Sequence, residues 1–356
     1  MKVTFMGAGS TVFAKNVLGD IMSTPALREC EIALYDIDGV RLEESYIMVT
    51  ALNRNINESR AKVEKYLGVE NRKEALRGAD FVVNAIQVGF YDPCTIIDFE
   101  VPKKYGLRQT IADSNGIGGI FRALRTIPVL KDFTDDMAEV CPNAYFLNYT
   151  NPMAQLAGYL GRYTPIKSVG LCHSVQGCSR NLLKDLGIEY KEPLRESIAG
   201  INHMGWLLEL EDADGNDLYP EIRESGKTDH HDLVRYEYIR RLGYYCTESS
   251  EHNAEYNNFF IKAKYPELIE RYNIPLDEYP RRCINQIENW KKDREKYMHD
   301  DVTHTRTTEY ASYIMEAIVT DIPYKIGGNV INNGLIPNLP AEACVEVACL
   351  VNKNGI

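Results

Sequence analysis

The sequence carries no surplus of positive charge: 40 lysines and arginines face 51 aspartates and glutamates, a net charge of −11. A basic footprint for nucleic acid or for an anionic bilayer surface is therefore excluded. Long hydrophobic runs are missing too, since none reaches the roughly 18 residues that a spanning helix needs, so no membrane partner is expected. Nine cysteines lie scattered and odd in number, without a C-x-x-C pair. That excludes a regular disulfide framework and leaves free thiols in a reducing compartment as the simplest account, hence an expected cytoplasmic location. There is no internal repeat and no low-complexity tract. The opening Met1-Lys2-Val3-Thr4-Phe5-Met6 meets a glycine turn at once, which reads as a first strand and not as a secretory signal. Tryptophan is scarce, at two, whereas tyrosine reaches 23. Most of those tyrosines read as partly exposed surface and interface residues, a crowd in which an active-site tyrosine is inconspicuous.

What is present fits a folded enzyme of ordinary composition, with 44% hydrophobic and 26% charged residues over 356 positions. That length suits two domains. In the first half, short apolar runs at 2–6, 31–35, 81–87, 144–148 and 167–172, with a weaker one at 62–66, predict strands. Helices are predicted between them at 11–24, 39–54, 72–77, 119–138, 151–163 and 175–187. The alternation predicts α/β architecture: a Rossmann-type, doubly wound parallel sheet with crossover helices. Run 81–87 is apolar enough to be buried on both faces. Beyond about 195 the texture changes to longer charged helices, around 231–243 and 281–298, and a strand through 207–211 that enters a turn at 212–217. Segment 223–232 reads as a polar loop. The expected plan is a dinucleotide-binding domain over 1–195 and an α-rich, mixed α+β lobe over 196–356, a lactate/malate dehydrogenase-like architecture.

Gly7-Ala8-Gly9-Ser10 follows the first strand and opens a helix, and Val12 occupies the third position of the usual G-x-G-x-x-G. Gly7 permits the tight turn, and Gly9 lets the backbone approach a pyrophosphate seated on the helix N-terminus. Ser10 and Thr11 can cap that helix or bond a phosphate oxygen. The second strand ends in Tyr35-Asp36, an acid suited to the adenosine ribose hydroxyls, which favours NAD over NADP.

Three further segments are dense in polar groups. Asn148-Tyr149-Thr150-Asn151-Pro152 ends a predicted strand, where ligands of open α/β sheets bind; Asn151 can equally cap the helix that Pro152 begins. Gly170-Leu171-Cys172-His173 repeats the strand-to-helix setting, where a thiol is a credible metal ligand, although a buried cysteine is more often a small hydrophobe. Gly200-Ile201-Asn202-His203-Met204 starts the second lobe, and the spacing of Cys172 and His203 forms no metal motif by itself.

Taken together, G-A-G-S-T at 7–11, N-Y-T-N-P-M at 148–153, G-L-C-H-S-V-Q-G at 170–177, G-I-N-H-M at 200–204 and T-E-S-S-E-H-x-A-E-Y at 247–256 resemble glycoside hydrolase family 4 in kind and order. The likeness extends through L-D-E-Y-P at 276–280 and C-V-E-V-A-C at 344–349. Within the family, the C-H-S-V-Q form is similar to the NAD- and Mn2+-dependent α-galactosidases (melibiases), with α-galacturonidases a near variant. The resemblance implies a divalent metal, commonly Mn2+, on Cys172 and His203, a base at Tyr256, Asn151 on sugar hydroxyls and Asn148 near the nicotinamide. It also implies a chemistry unlike two-carboxylate hydrolysis: transient oxidation at C3, loss of the C2 proton, elimination, and addition of water. The general acid is open between His173, which stands where α-glucosidases carry a carboxylate or amide, Asp113 and a water. Arg282 and Arg306 are cations available for a substrate carboxylate. The expected partner is a small α-galactoside, and the expected assembly a homo-oligomer, dimer or tetramer. A rival 2-hydroxyacid dehydrogenase would consume NAD stoichiometrically and would need neither Cys172 nor a metal, and an NAD-sensing binding protein would not need the intact polar set. Relatives run some tens of residues beyond the position of Ile356, so the chain is expected to be truncated or partial, ending just after an apolar run, 345–351, that should be core.

Overall fold

A computed structural model of the chain describes residues 1–228 and 230–356. Six parallel strands, β1 (Lys2–Met6), β2 (Glu31–Asp36), β3 (Lys62–Leu67), β4 (Phe81–Asn84), β5 (Tyr145–Asn148) and β6 (Lys167–Leu171), lie in the order β3-β2-β1-β4-β5-β6. This is the Rossmann order. Successive side chains on a strand face opposite sides, and the core divides accordingly. Val3, Phe5, Ile32, Leu34, Val83 and Leu147 pack with helices α1 (Thr11–Ser23) and α2 (Gly39–Asn57) and with the helix Tyr310–Thr320. Tyr35, Val82 and Phe146 face the other way, against Leu130, Phe133 and Met137 of the helix Ile117–Val140. The expected strands fall within a residue or two of these positions, except that β4 stops at Asn84 and 85–87 leave the sheet.

The sheet does not end at β6. Strand β10 (Tyr324–Ile331) pairs antiparallel with β6, and β11 (Cys344–Val351) pairs with β10. Next come β7 (Arg195–Ile201), β8 (Met204–Glu211) and β9 (Tyr245–Cys246), making an eleven-stranded mixed sheet. The second half thus contributes its last two strands beside β6, and a β7–β8 hairpin where sequence reading has a single strand.

Two local expectations are corrected. Residues 223–225 end a helix, Tyr219–Ser225, rather than open a loop, because Ile222 and Tyr219 bury against Leu207 and Leu210; Asp229, in the same segment, lies outside the described residues. The run 345–351 is only partly core: Val345 and Val351 are buried, whereas Leu350 is 62% exposed, and Glu346 is fully buried. Asn202 Nδ2 and Asn329 Nδ2 both donate to Glu346 Oε1, at 3.1 and 3.0 Å, which accounts for the inward carboxylate. Among the described residues, no helix is long and apolar enough to cross a membrane.

Candidate active site

The glycine turn after β1 is built as its sequence requires. Gly7 has φ +87°, and a Cβ there would lie 2.8 Å from the carbonyl oxygen of Ala85. On Gly9 a Cβ would meet Asp36 Oδ2 at 2.8 Å. Gly9 N–H donates to Asp36 Oδ2 at 2.6 Å, and Asp38 N–H to Oδ1 at 2.9 Å, so the acid ending β2 touches the glycine turn directly. Ser10 stands at the N-cap of α1 without a side-chain capping bond, exposed at the helix end. Thr11 differs from expectation. Its hydroxyl is buried against Ser45 Oγ at 3.0 Å and is not offered to a ligand.

Asn148 also turns inward. It is fully buried, its Oδ1 accepting from Asn84 Nδ2 at 2.9 Å and its Nδ2 donating to the Thr150 carbonyl at 3.0 Å. Those bonds spend its polar atoms on the β4–β5 strand ends, so no group is left to point into a crevice. Asn151 does not cap the following helix either. Its Nδ2 donates to Asp113 Oδ2 at 3.2 Å, and its Oδ1 is buried without a partner.

A compact buried cluster forms around Asp113 and His203. His203 sits in the turn between β7 and β8 with φ +66°, a left-handed backbone that is costly for a residue with a Cβ. Its two ring nitrogens have different company. Nδ1 is 2.8 Å from Ser114 Oγ and 3.7 Å from Asp113 Oδ1, while Nε2 is 3.3 Å from Cys172 Sγ and 3.5 Å from Glu248 Oε2. Tyr256, just past the helix Ser250–Glu255, donates its phenol to Asp113 Oδ1 at 2.8 Å. His252, on that helix, has Nε2 3.9 Å from Asp113 Oδ1 and Nδ1 3.6 Å from Glu248 Oε1. Of the residues named from sequence, Asp113, Asn151, Cys172, His203 and Tyr256 are therefore brought together.

Burial and charge set the protonation states. Burial opposes a charge on Asp113, but His203, His252 and Arg122 and the Tyr256 hydrogen bond outweigh it and hold the carboxyl down at about 2. Burial likewise opposes a charged His203, yet Cys172, Asp113 and Glu248 raise it to about 10. Tyr256 is pushed well above the usual phenol value by burial first, then by Asp113 and Glu255. His252 is lowered, chiefly by burial. One carboxylate thus sits ionised among imidazoles, with a neutral phenol hydrogen-bonded to it.

The loop bearing Asp113 has its own clamp. Glu255 accepts from the backbone N–H groups of Thr110 (2.7 Å), Ile111 (3.2 Å) and Ala112 (2.8 Å). Those bonds fix the left-handed Ala112, φ +56°, immediately before Asp113.

The remaining candidates lie apart from the cluster's bonds. His173 Nε2 is 2.8 Å from both oxygens of Glu309, and its ring faces Phe13 and Tyr149. Its pKa is raised, foremost by the Glu309 hydrogen bond. Arg282 is engaged by Glu278 (3.0 Å) and by Glu251 (2.7 Å). Arg306 pairs with Glu316 at 2.7 Å.

Sequence reasoning missed Ser114, Glu248, His252 and Glu255. Glu248, His252 and Glu255 all stand inside the segment 247–256, from which only Tyr256 was drawn. Buried Arg122, close enough to act on Asp113 and 3.5 Å from the Tyr279 phenol, had no local signal.

Comparison with known proteins puts this geometry in context. A family model described as family 4 glycosyl hydrolase matches residues 2–188, and one for the C-terminal domain of the same family matches 198–356. An α-galactosidase of Bacillus subtilis (strain 168) is 59% identical over 360 residues, covering 100% of this chain and 82% of the relative. An α-galactosidase of Rhizobium meliloti (strain 1021) is 32% identical over 372 residues, covering 100% and 74%. The fold is shared with a 6-phospho-alpha-glucosidase from gut microorganisms solved with NAD and Mn2+, at a TM-score of 0.76 and 20% identity, over 99% of this chain and 82% of that one.

Proposed function

The chain belongs to the family 4 glycosyl hydrolases, and from that premise we propose an α-galactosidase that works with NAD and a divalent cation, Mn2+ foremost. One observation carries the reading: Asn151, Cys172, His203 and Tyr256 meet around Asp113 in a single buried cluster. The substrate assignment is supported by the 59% identity to the Bacillus subtilis α-galactosidase. The cofactors are supported by the NAD and Mn2+ of the solved neighbour and by the residues present. Gly7 and Gly9 make a turn too tight for a Cβ, against Ala85 and Asp36, and it leads directly into the N-terminus of α1, the place for a pyrophosphate. Cys172 and His203 offer sulfur and ring nitrogen 3.3 Å apart, donors suited to a borderline divalent ion.

When bound, NAD+ supplies a hydride acceptor at sugar C3, and the cation supplies a Lewis acid for the adjacent oxygens and a charge that lowers the phenol pKa. Tyr256 is the base for the C2 proton on this reading. At rest its phenol keeps its proton, aimed at Asp113 Oδ1. Asp113, held at about 2, orients that phenol rather than storing its proton. Asn151 anchors on Asp113 through Nδ2 and keeps Oδ1 free for a sugar hydroxyl. Of the two side chains named as acids, His173 fits better, because Glu309 favours its charged form while Asp113 is ionised.

We extend the reading to a cytoplasmic homo-oligomer, dimer or tetramer, with domains 1–195 and 196–356. Support comes from nine free cysteines, from the family models dividing between 188 and 198, and from exposed Ile117, Ile120 and Leu124 on one helix, an apolar stripe a second copy would cover. The test is p-nitrophenyl α-galactoside hydrolysis with NAD+ and Mn2+ each omitted in turn. Turnover should need both and leave no lasting NADH. Activity without NAD+, or NADH formed stoichiometrically, overturns the reading, and preference for the α-galacturonide moves it to that branch.

A further inference from the structure

We propose that Glu248 is a third protein ligand of the cation held by Cys172 and His203; the inference rests on the metal reading above. Cys172, His203 and Glu248 each offer a ligand atom, all within 4.8 Å of one another. The imidazole selects this side. Nδ1 is occupied by Ser114 Oγ at 2.8 Å, whereas Nε2 faces the thiol at 3.3 Å and Glu248 Oε2 at 3.5 Å. A ring nitrogen bonded on one edge presents the other to a metal, and its partner fixes the ring's tautomer and orientation.

A second set, Asp113, His203 and His252, is equally compact, but two of its three members are engaged on that side. Asp113 accepts from Tyr256 on Oδ1 and from Asn151 on Oδ2, and the His203 nitrogen nearer Asp113, Nδ1, is the one held by Ser114 Oγ. The hydrogen bond to the Glu248 carboxylate comes from Ser249 N–H to Oε1 at 3.2 Å, which leaves Oε2 toward His203. Glu248 also has φ +66°, the same left-handed backbone as His203, so both sides of the hairpin-to-helix gap hold a strained residue aimed at one point.

The chemistry agrees. Mn2+ favours carboxylate oxygen, and a thiolate–imidazole pair alone suits softer ions. Cys172 as thiolate and Glu248 as carboxylate together neutralise a divalent charge. Three protein ligands leave positions open for substrate oxygens, the pattern of catalytic metal sites.

The experiment measures Mn2+ binding to the full chain, stripped with EDTA, by loss of the free-ion EPR signal. NAD+ affinity and the Tm of the metal-free protein are recorded alongside. Cys172→Ser should abolish binding. Glu248→Gln should weaken it by at least about 10–100-fold, the range for losing even an outer partner of a metal, with NAD+ affinity kept. Glu248→Gly removes the carboxylate while easing the positive φ, so it should fold at least as well, yet lose the Tm rise that Mn2+ gives the wild type. Wild-type Mn2+ affinity in Glu248→Gly, with Cys172→Ser unable to bind, overturns the assignment and leaves the metal reading standing. A wild-type protein with no saturable Mn2+ binding overturns both.

Discussion

Tyr256→Phe separates structural from chemical roles, because the two losses differ in size. The phenol donates one hydrogen bond to an ionised, buried carboxylate, worth about 1.5–3 kcal/mol. Unfolding entropy of about 2.1 cal/mol/K per residue over 356 residues gives about 0.75 kcal/mol/K, so Tm should fall by about 2–4 °C. The protein would remain folded at 25 °C with NAD affinity nearly unchanged. Removal of a general base costs about 10²–10⁴ in rate, or about 2.7–5.4 kcal/mol of barrier. Steady-state hydrolysis of p-nitrophenyl α-galactoside and a thermal scan of the same sample read both numbers. Hydrolysis by the wild type in D2O should also leave deuterium at C2 of the released galactose, since the proton removed there exchanges before return. Turnover within about threefold of wild type, or no deuterium at C2, would refute Tyr256 as the base.

Other expectations follow from the surrounding residues. Asp36→Ala removes the carboxylate that joins β2 to the glycine turn; NAD should bind more weakly and discrimination against NADP should relax, as measured by titrating both. Glu255→Ala leaves three buried backbone N–H groups without their acceptor, which should slow kcat more than it raises KM, because the loop carrying Asp113 loses its clamp. Glu255 also predicts a pH effect. Its carboxyl is raised to about 7, foremost by burial and despite the three N–H groups, so the unfolded chain gives up the proton first. That contribution to stability is complete below about 4.5 and lost as pH rises through about 7, some 3 kcal/mol at 1.36 per unit. Urea unfolding at pH 4.5 and 8 should show this drop in the wild type and not in Glu255→Gln; parallel pH curves would count against it.

How far the sequence disclosed this molecule depends on the range of the interaction. Strands β1 to β6 were legible because each is a short apolar run closed by a turn, and their helices repeat locally. Strand β10, with Gly327 and Gly328 at its centre, was not, because its pairing with β6 joins Gly328 to Leu171, and no local periodicity encodes that. Glu346 breaks an apolar run by composition, yet it is buried, since Asn202 and Asn329 come from distant segments to meet it. The cluster shows the same division. Cys172, His203 and Tyr256 were named through motifs, while their mutual distances rest on the sheet. Thr11, opening α1, and Asn148, ending β5, bond protein neighbours in the structure, because a polar side chain at the end of an element finds such partners as readily as a ligand, and only packing decides.

The insertion of β10 and β11 between β6 and β7 orders events in time. The first half of the chain carries β1 to β6 and their glycine turn, but the outer edge of β6 stays unpaired until residues near 324–351 arrive. An open strand edge is a template for wrong pairing, and closing it requires contacts more than a hundred and fifty residues apart, which slows folding. Cys172 follows β6 and His203 follows β7, so the two meet only after that late pair is seated. The glycine turn is thus assembled from the first segments of the chain, whereas the Asp113–His203 cluster draws together segments that are neighbours only in the completed sheet.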